Sequence, residues 1–364
     1  FSRTRFTVIR CREPIGLSYL CLVGEIKKDI RTLSQEGIIA FFESHGEKPF
    51  RAKQVYQWLW QKSANSFEEM TNLSKATREL LNAHFEFKQL EVDVMQQSND
   101  GTIKNAVKLH DGAFVESVLI PTEKRITACV SSQVGCSLDC TFCATAGLKR
   151  MRNLDPDEIY DQVVVIDRQG KEHFGRSLTN IVFMGMGEPL LNYNNVLAAI
   201  DKITDPKGLG MSPKRITLST IGVPKLIKKM ADDGVRFGLA ISLHSAIEEK
   251  RAKLMPLAHR STTLVDLRES LQYWYAKTGR GVTFEYVIWR DINDTEEDAI
   301  ALAKFCGAIP TKVNIIQYNP IDNGPYTQAS QTAVDLYKRI LEERRIIATV
   351  RHSRGQDIDA ACGQ

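Results

Sequence analysis

The stretch Ile126-Thr127-Ala128-Cys129-Val130-Ser131-Ser132-Gln133-Val134-Gly135-Cys136-Ser137-Leu138-Asp139-Cys140-Thr141-Phe142-Cys143 begins as an apolar strand and runs into a loop with three closely spaced cysteines. Downstream, the same strand–loop–helix unit recurs. Further strands read 180–184, 215–219, 237–243, 282–288 and 312–317. Amphipathic stretches of helical length follow them. Leu264, Leu267, Leu271, Trp274 and Tyr275 recur at helical spacing, as do Val334, Tyr337, Ile340 and Leu341. Six such units with apolar, parallel-type strands predict an α/β fold, either a partial (β/α)6 barrel or a doubly wound sheet. In both, functional residues sit in loops at the C-terminal ends of the strands.

Upstream of residue 126 the pattern changes twice. Between about 30 and 88 the period is helical. Ile38, Ile39, Phe41 and Phe42 group together, Gly46 and Pro49 interrupt, and Val55, Trp58 and Leu59 share a stripe with Tyr56 and Trp60 beside it. Ser66-Phe67-Glu68-Glu69 predicts a capping box that opens a further helix. Arg51, Lys53 and Lys62 fall on the polar side, so this small helical domain either packs as a cap or lays cations on nucleic-acid phosphates. After it, Val92 and Val94 alternate with charges, and Asn99-Asp100-Gly101 and Asp111-Gly112 are hairpin turn signals. They predict a short antiparallel β linker. The expected organisation is an unassigned leader at 1–25, a helical domain at 26–90, a β linker at 91–125 and the α/β core at 126–364. Arg3, Arg5, Arg10 and Arg12 ahead of 17–23 loosely mimic a secretory signal. Pro14 and Gly16 break that run, and no small-x-small cleavage site follows.

With 364 residues the chain has room for about two to three domains. Hydrophobic residues make up 43% and charged residues 25%, which excludes a disordered or collagen-like chain. The net charge, 48 − 44 = +4, permits a nucleic-acid partner without arguing for one. The apolar run Val163-Val164-Val165-Ile166 is far short of the roughly 20 residues a membrane span needs, so no membrane partner and a cytoplasmic location are expected. Of eight cysteines, four fall between Cys129 and Cys143, which favours a metal site or redox thiols over a disulfide scaffold. Cys11, Cys21 and Cys306 read as packing residues.

Cys136, Cys140 and Cys143 form a CxxxCxxC. Three thiolates can hold three irons of a [4Fe–4S] cluster and leave the fourth to an exogenous ligand, whereas most such clusters have four cysteines. A structural zinc site wants four ligands, and His110 and His173, the nearest histidines, lack finger spacing. The spacing, with an aromatic before the last cysteine, resembles the radical-SAM superfamily, in which S-adenosylmethionine fills that fourth place. Gly185-Met186-Gly187-Glu188-Pro189, after the second strand, resembles that superfamily's element for the methionyl amino group; Gly187 and Glu188 are the candidates. Ser219, Ser242-Leu243-His244 and Asn319 end later strands, each readable alone as a cap or turn former. Converging on one rim, they suggest a ligand with ribose and carboxylate groups. Lys149, Arg150 and Arg152 either hold phosphates at the mouth or form a solvated helix entry.

Cys129-Val-Ser-Ser-Gln-Val-Gly-Cys136, the CxxxCxxC, 185–192 and the terminal Asp359-Ala360-Ala361-Cys362-Gly363-Gln364 together resemble the RlmN family, from about residue 26 to 364. The resemblance implies the partial (β/α)6 barrel and a dual-specificity radical-SAM methyltransferase acting on carbon 2 of adenine in 23S rRNA and tRNA. It implies one [4Fe–4S] cluster on Cys136, Cys140 and Cys143, and two S-adenosylmethionines per turnover. Adenine carbon 2 is not nucleophilic, so the methyl group is placed first on a protein cysteine, which maps to Cys362. A 5′-deoxyadenosyl radical then takes hydrogen from that S-methyl group, and the methylene radical adds to the base. Cys129 maps to the thiol that resolves the adduct through a transient disulfide with Cys362, a step a low-pKa thiolate suits. Glu116 matches the proton acceptor; from sequence alone it is equally an edge-strand guard. A flavodoxin or ferredoxin would supply electrons to a monomeric enzyme. Residues 1–25 have no counterpart in the family, and members run on past this point, which predicts a poorly anchored Cys362 loop. Open alternatives are a carbon-8 adenine methyltransferase, a radical-SAM enzyme with a peptide or small-molecule substrate, and a zinc protein that binds RNA.

Overall fold

A computed structural model describes residues 27–321 and 324–364. The leader, the signal-like run and Cys11 and Cys21 lie outside the described residues. The chain divides into two compact units. The smaller comprises the described residues up to Leu59 together with Ala64–Lys88; the larger comprises Trp60–Ser63 and Gln89–Gln364.

In the smaller unit, α1 (Gln35–Ser44) starts where the Ser34 hydroxyl accepts the Gly37 N–H, and it buries Ile38 and Phe42 four residues apart. It stops short of Gly46, which turns the chain at φ 72°. α2 (Phe50–Trp60) buries Ala52, Val55 and Leu59 on one stripe. The expected helix at Ser66 does not form. Instead of forming the reciprocal capping bonds, Glu69 Oε1 accepts the Asn65 N–H and the Ser66 hydroxyl. The backbone closes consecutive three-residue turns, Met70 N–H to Phe67 O and Leu73 N–H to Met70 O, which seat Phe67, Met70 and Leu73 in the core. The helix waits for a second cap at Ser74 and runs as α3 (Lys75–His84).

The larger unit is built on one ten-stranded sheet. Its strands are β1 (Glu91–Gln97), β2 (Ile103–Lys108), β3 (Phe114–Pro121), β4 (Ile126–Cys129), β5 (Asn180–Phe183), β6 (Ile216–Thr220), β7 (Gly238–Ser242), β8 (Val282–Ile288), β9 (Thr311–Gln317) and β10 (Ile347–Arg351). From β4 to β10 every neighbour is parallel and spatial order equals chain order. A doubly wound sheet reverses direction at a switch point; this one never does, so the partial barrel is the architecture. The antiparallel β1–β3 segment is no separate linker: β3 pairs with β4 and continues the sheet. β10 adds a seventh parallel strand beyond the six expected.

Helices α4 (Pro156–Phe174), α5 (Tyr193–Thr204), α6 (Pro224–Asp232), α7 (Glu248–Leu254), α8 (Pro256–Ser261), α9 (Leu264–Thr278), α10 (Glu296–Cys306) and α11 (Gln331–Glu343) fill the crossovers. Strand side chains such as Ala128, Phe183, Leu218, Ile241 and Ile315 are buried, as are Leu264, Leu267, Leu271 and Trp274 of α9. Cys306 packs inside α10, and burial pushes its thiol up to about 12. No described helix is long and apolar enough to cross a membrane.

Candidate active site

After β4 the chain forms a small ribbon, Gln133–Val134 against Arg152–Asn153, and the cysteine loop hangs between its arms. Gly135 sits at φ 71°, where an added Cβ would lie 2.5 Å from the Lys149 carbonyl, so this turn admits only glycine. The loop is pinned from below. Asp139 Oδ1 accepts the Leu257 N–H at the start of α8, 2.8 Å away, and the Thr141 N–H and hydroxyl both reach the Leu254 carbonyl that ends α7. Leu138, Cys140 and Phe142 rest on an apolar floor that includes Met255, Val287 and Trp289. The Phe142 ring lies 5.0 Å from Trp289 and 4.8 Å from His244, which accounts for the aromatic before the last cysteine.

Cys136, Cys140 and Cys143 are free thiols lining one cavity. Among the described residues, no three Cys, His, Asp or Glu side chains are grouped as for a single metal ion. Thiolates that each take a different iron of a cluster need no such convergence. Burial raises the Cys136 and Cys140 thiols above their ordinary range. A coordinating metal displaces those protons outright. The donor set thus fits a three-cysteine iron–sulfur cluster.

The facing side of the cavity comes from the next strands. Gly187, at φ 93°, has no room for a Cβ, which would meet the Gln133 side chain at 2.5 Å. The next residue, Glu188, donates its N–H to Gln133 Oε1, so the glycine loop is locked to the cysteine ribbon. The Glu188 carboxylate accepts the Leu190 and Ile221 N–H groups at 2.9 Å, and burial raises its pKa. The Ser219 and Ser242 hydroxyls face each other at 3.4 Å. His244 holds φ 58°, and its Nδ1 accepts the Val287 N–H, which leaves the proton on Nε2; burial, then Arg251, pulls its pKa down to about 3. Leu243 differs from the rest of the expected set: its side chain is fully buried and does not line the cavity. Its N–H is taken by the Glu285 carbonyl.

Cys362 is open to this cavity and to a second one, where Glu116 and Cys129 also stand. Glu116 lies on β3 opposite Ala106 of β2, two residues before the β3–β4 ladder begins at Val118; its carboxylate is 3.5 Å from Lys104 Nζ. Burial pushes the Cys129 thiol up to about 12, and neighbouring Cys362 adds to the shift, so the expected low-pKa thiolate is absent. Burial raises the Cys362 thiol too, with Arg351 pulling it down. Arg351 lines the second cavity and approaches Glu285 at 3.5 Å, and no local motif singles it out. Arg152 is neither a phosphate holder nor a solvated entry. It forks onto Glu158 at 2.7 and 2.8 Å and reaches Asp111 at 2.6 Å, holding that carboxyl at about 2. Lys149 and Arg150 stay exposed.

The Cys362 loop is tied down at several points, against the expectation that it would be loose. Asn319 Nδ2 donates to the Cys362 carbonyl, and its Oδ1 accepts from Gln356. Ala144 N–H, next to the last cluster cysteine, donates to the Gly363 carbonyl at 2.9 Å. Asp357 accepts the Ser98 hydroxyl and the Asn99 N–H, while Asp100 accepts the Gly355 N–H, docking the loop on the β1–β2 turn. Asn319 therefore positions Cys362 as well as lining the cofactor cavity.

A partial barrel with three unpaired thiols in the loop after β4, facing a glycine–glutamate turn, defines a radical-SAM enzyme. A model of the radical SAM superfamily matches residues 130–303, and one of the ribosomal RNA large subunit methyltransferase N-terminal domain matches 28–87. The chain is 62% identical over 346 residues to a probable dual-specificity RNA methyltransferase RlmN from Christiangramia forsetii, covering 95% of this chain and 98% of that one. It is 64% identical over 338 residues to a protein of the same description from Flavobacterium psychrophilum, covering 93% and 97%. A crystal structure of a radical SAM methyltransferase from Sphaerobacter thermophilus superposes with a TM-score of 0.87 at 36% identity, covering 93% of this chain and 98% of that chain. The chain belongs to the RlmN family of radical-SAM RNA methyltransferases. Its cofactors are a [4Fe–4S] cluster and S-adenosylmethionine.

Proposed function

We propose that the protein methylates carbon 2 of an adenine in 23S rRNA and of an adenine in tRNA, with Cys362 as methyl carrier. The observation that carries this reading is the position of Cys362, the thiol shared by the cofactor cavity and the cavity holding Glu116 and Cys129. A carrier has to meet a donor on one side and an acceptor base on the other. Cys136, Cys140 and Cys143 would hold the cluster, and Gly187, Glu188, Ser219, Ser242, His244 and Asn319 would bind S-adenosylmethionine. When bound, these groups supply a methyl group and a carbon-centred radical, chemistry that an unreactive aromatic C–H bond requires. Glu116 takes the proton from carbon 2 once the carbon–carbon bond has formed. Cys129 then attacks the Cys362 sulfur. The carbon–sulfur bond breaks with its electron pair on the carbon, which takes a proton to become the methyl group, and a Cys129–Cys362 disulfide remains; the single electron left by the radical addition would return to the bound cluster. The half-buried Cys129 thiol gives up its proton as it attacks, in a cavity that holds the Glu116 carboxylate. The base leaves its stack to enter, as enzymes acting on bases require. A flavodoxin or ferredoxin as electron donor, a monomeric state and a cytoplasmic location complete the proposal.

Cys362→Ala tests it. The variant retains wild-type iron content and S-adenosylmethionine binding, because the cluster thiols lie in another loop, and forms no 2-methyladenosine by mass spectrometry. Methylated adenosine from this variant would overturn the covalent route.

A further inference from the structure

Arg251, on α7, is fully buried. Its Nη2 donates to the Ile221 carbonyl at 2.7 Å and its Nη1 to the Thr262 carbonyl at 3.3 Å, while Nε has no partner. It forms no ion pair with any described carboxylate. The acid that bears on it most, Glu248, has one carboxylate oxygen on the Leu264 N–H and the other at His259. An arginine stays charged at neutral pH, and a buried cation without a counter-ion is among the costliest arrangements a fold can carry. Beside Glu248, the group that bears on Arg251 is Cys140, which becomes anionic only when a metal takes its proton. The contact is direct at the level of elements: Thr141 is hydrogen-bonded to Leu254, the last residue of α7.

We infer that Arg251 is the built-in counter-charge of the thiolate-bound iron–sulfur cluster, and that it sets how readily the cluster accepts an electron. This rests on the reading that Cys136, Cys140 and Cys143 hold the cluster. Three thiolates leave an oxidised cluster anionic, and one electron from the donor makes it more so. Charge around a cluster is one of the levers on its potential. A fixed buried cation favours the reduced form, and the cluster in turn relieves the cost of burying the cation.

Two measurements test this on the anaerobically reconstituted full chain. The first is a potentiometric titration followed by electron paramagnetic resonance, on wild type, Arg251→Met and Arg251→Lys loaded to equal iron content. Arg251→Met shifts the midpoint to more negative potential, and Arg251→Lys stays near wild type. The second is the rise in melting temperature on cluster loading. It is smaller in Arg251→Met than in wild type, and restored in Arg251→Lys. Through Ile221, Arg251 also touches the peptide that holds Glu188. If the variant loses only S-adenosylmethionine affinity while potential and loading-dependent melting rise match wild type, Arg251 is a positioning residue and the inference is wrong. A wild-type chain that takes up no cluster would overturn the underlying reading, and the inference with it.

Discussion

His244 holds a left-handed backbone, φ 58°, where a non-glycine residue is uncommon and where functional sites store strain. Its imidazole is buried, neutral and pulled down to about 3, against 6.5 for an ordinary histidine. The folded pKa is depressed, so the unfolded chain binds the extra proton. The stabilisation is complete above pH 6.5 and is lost as pH falls toward 3. Between pH 7.5 and 5 this one group removes about 2 kcal/mol. His244→Asn, which tolerates the same backbone, should flatten the pH dependence of urea stability by that amount; parallel wild-type and variant profiles would refute it. Cys129 is the other informative residue. If it only packs β4, Cys129→Ala costs roughly 1–2 kcal/mol and releases its RNA normally. As the resolving thiol, its loss leaves RNA covalently attached to Cys362. The product should run as a nuclease-sensitive species on a denaturing gel, stable to salt that strips phosphate contacts. Free protein with normal methylated product would sink the resolving role. The sequence exposed these thiols by spacing, but not their environment. The high Cys129 pKa and the capture of Arg152 by Glu158 and Asp111 depend on neighbours brought in from other elements.

At the scale of elements, the six main strands were readable because each is a short, largely apolar run with buried residues at its centre. β10 was not anticipated although Ile346-Ile347-Ala348-Thr349-Val350 is apolar; its pattern is not the buried one of an inner strand, since Ile347, Thr349 and Arg351 are exposed. The helix expected at Ser66 failed because Glu69 is drawn to the Asn65 N–H and the Ser66 hydroxyl, and short turns there bury Phe67, Met70 and Leu73. The docking of the Cys362 loop on the β1–β2 turn was also hidden. Asn99-Asp100-Gly101 reads as a turn, and nothing local says that Asp100 will receive the Gly355 N–H. That docking should be separable from folding. Asp357→Ala removes the acceptor for Ser98 and Asn99 at the protein surface. We expect wild-type melting and iron content, with a turnover loss on the order of 10–100-fold, because small misplacements of a reacting group are costly. Unchanged turnover would mean that the Asn319 and Ala144 bonds suffice to place Cys362.

For the whole molecule, two compact units with separate cores imply that unfolding is not a single two-state event. Scanning calorimetry should give a calorimetric enthalpy above the van't Hoff value. The cofactor cavity is lined entirely by residues of the larger unit, so S-adenosylmethionine at 100 times its dissociation constant should stabilise that unit alone, by about 2.7 kcal/mol. A single sharp transition that moves as one would contradict this. The bonds that seat Cys362 join residues separated by more than 250 positions: Ser98 with Asp357, Asp100 with Gly355, Lys104 with Asp359. During synthesis at roughly 5–20 residues per second, the hairpin waits roughly 10–50 s for its partner to be translated. Every strand from β4 to β10 is made in that interval. The hairpin that receives the Cys362 loop is therefore among the first parts of the larger unit to be made, and the loop it holds is among the last.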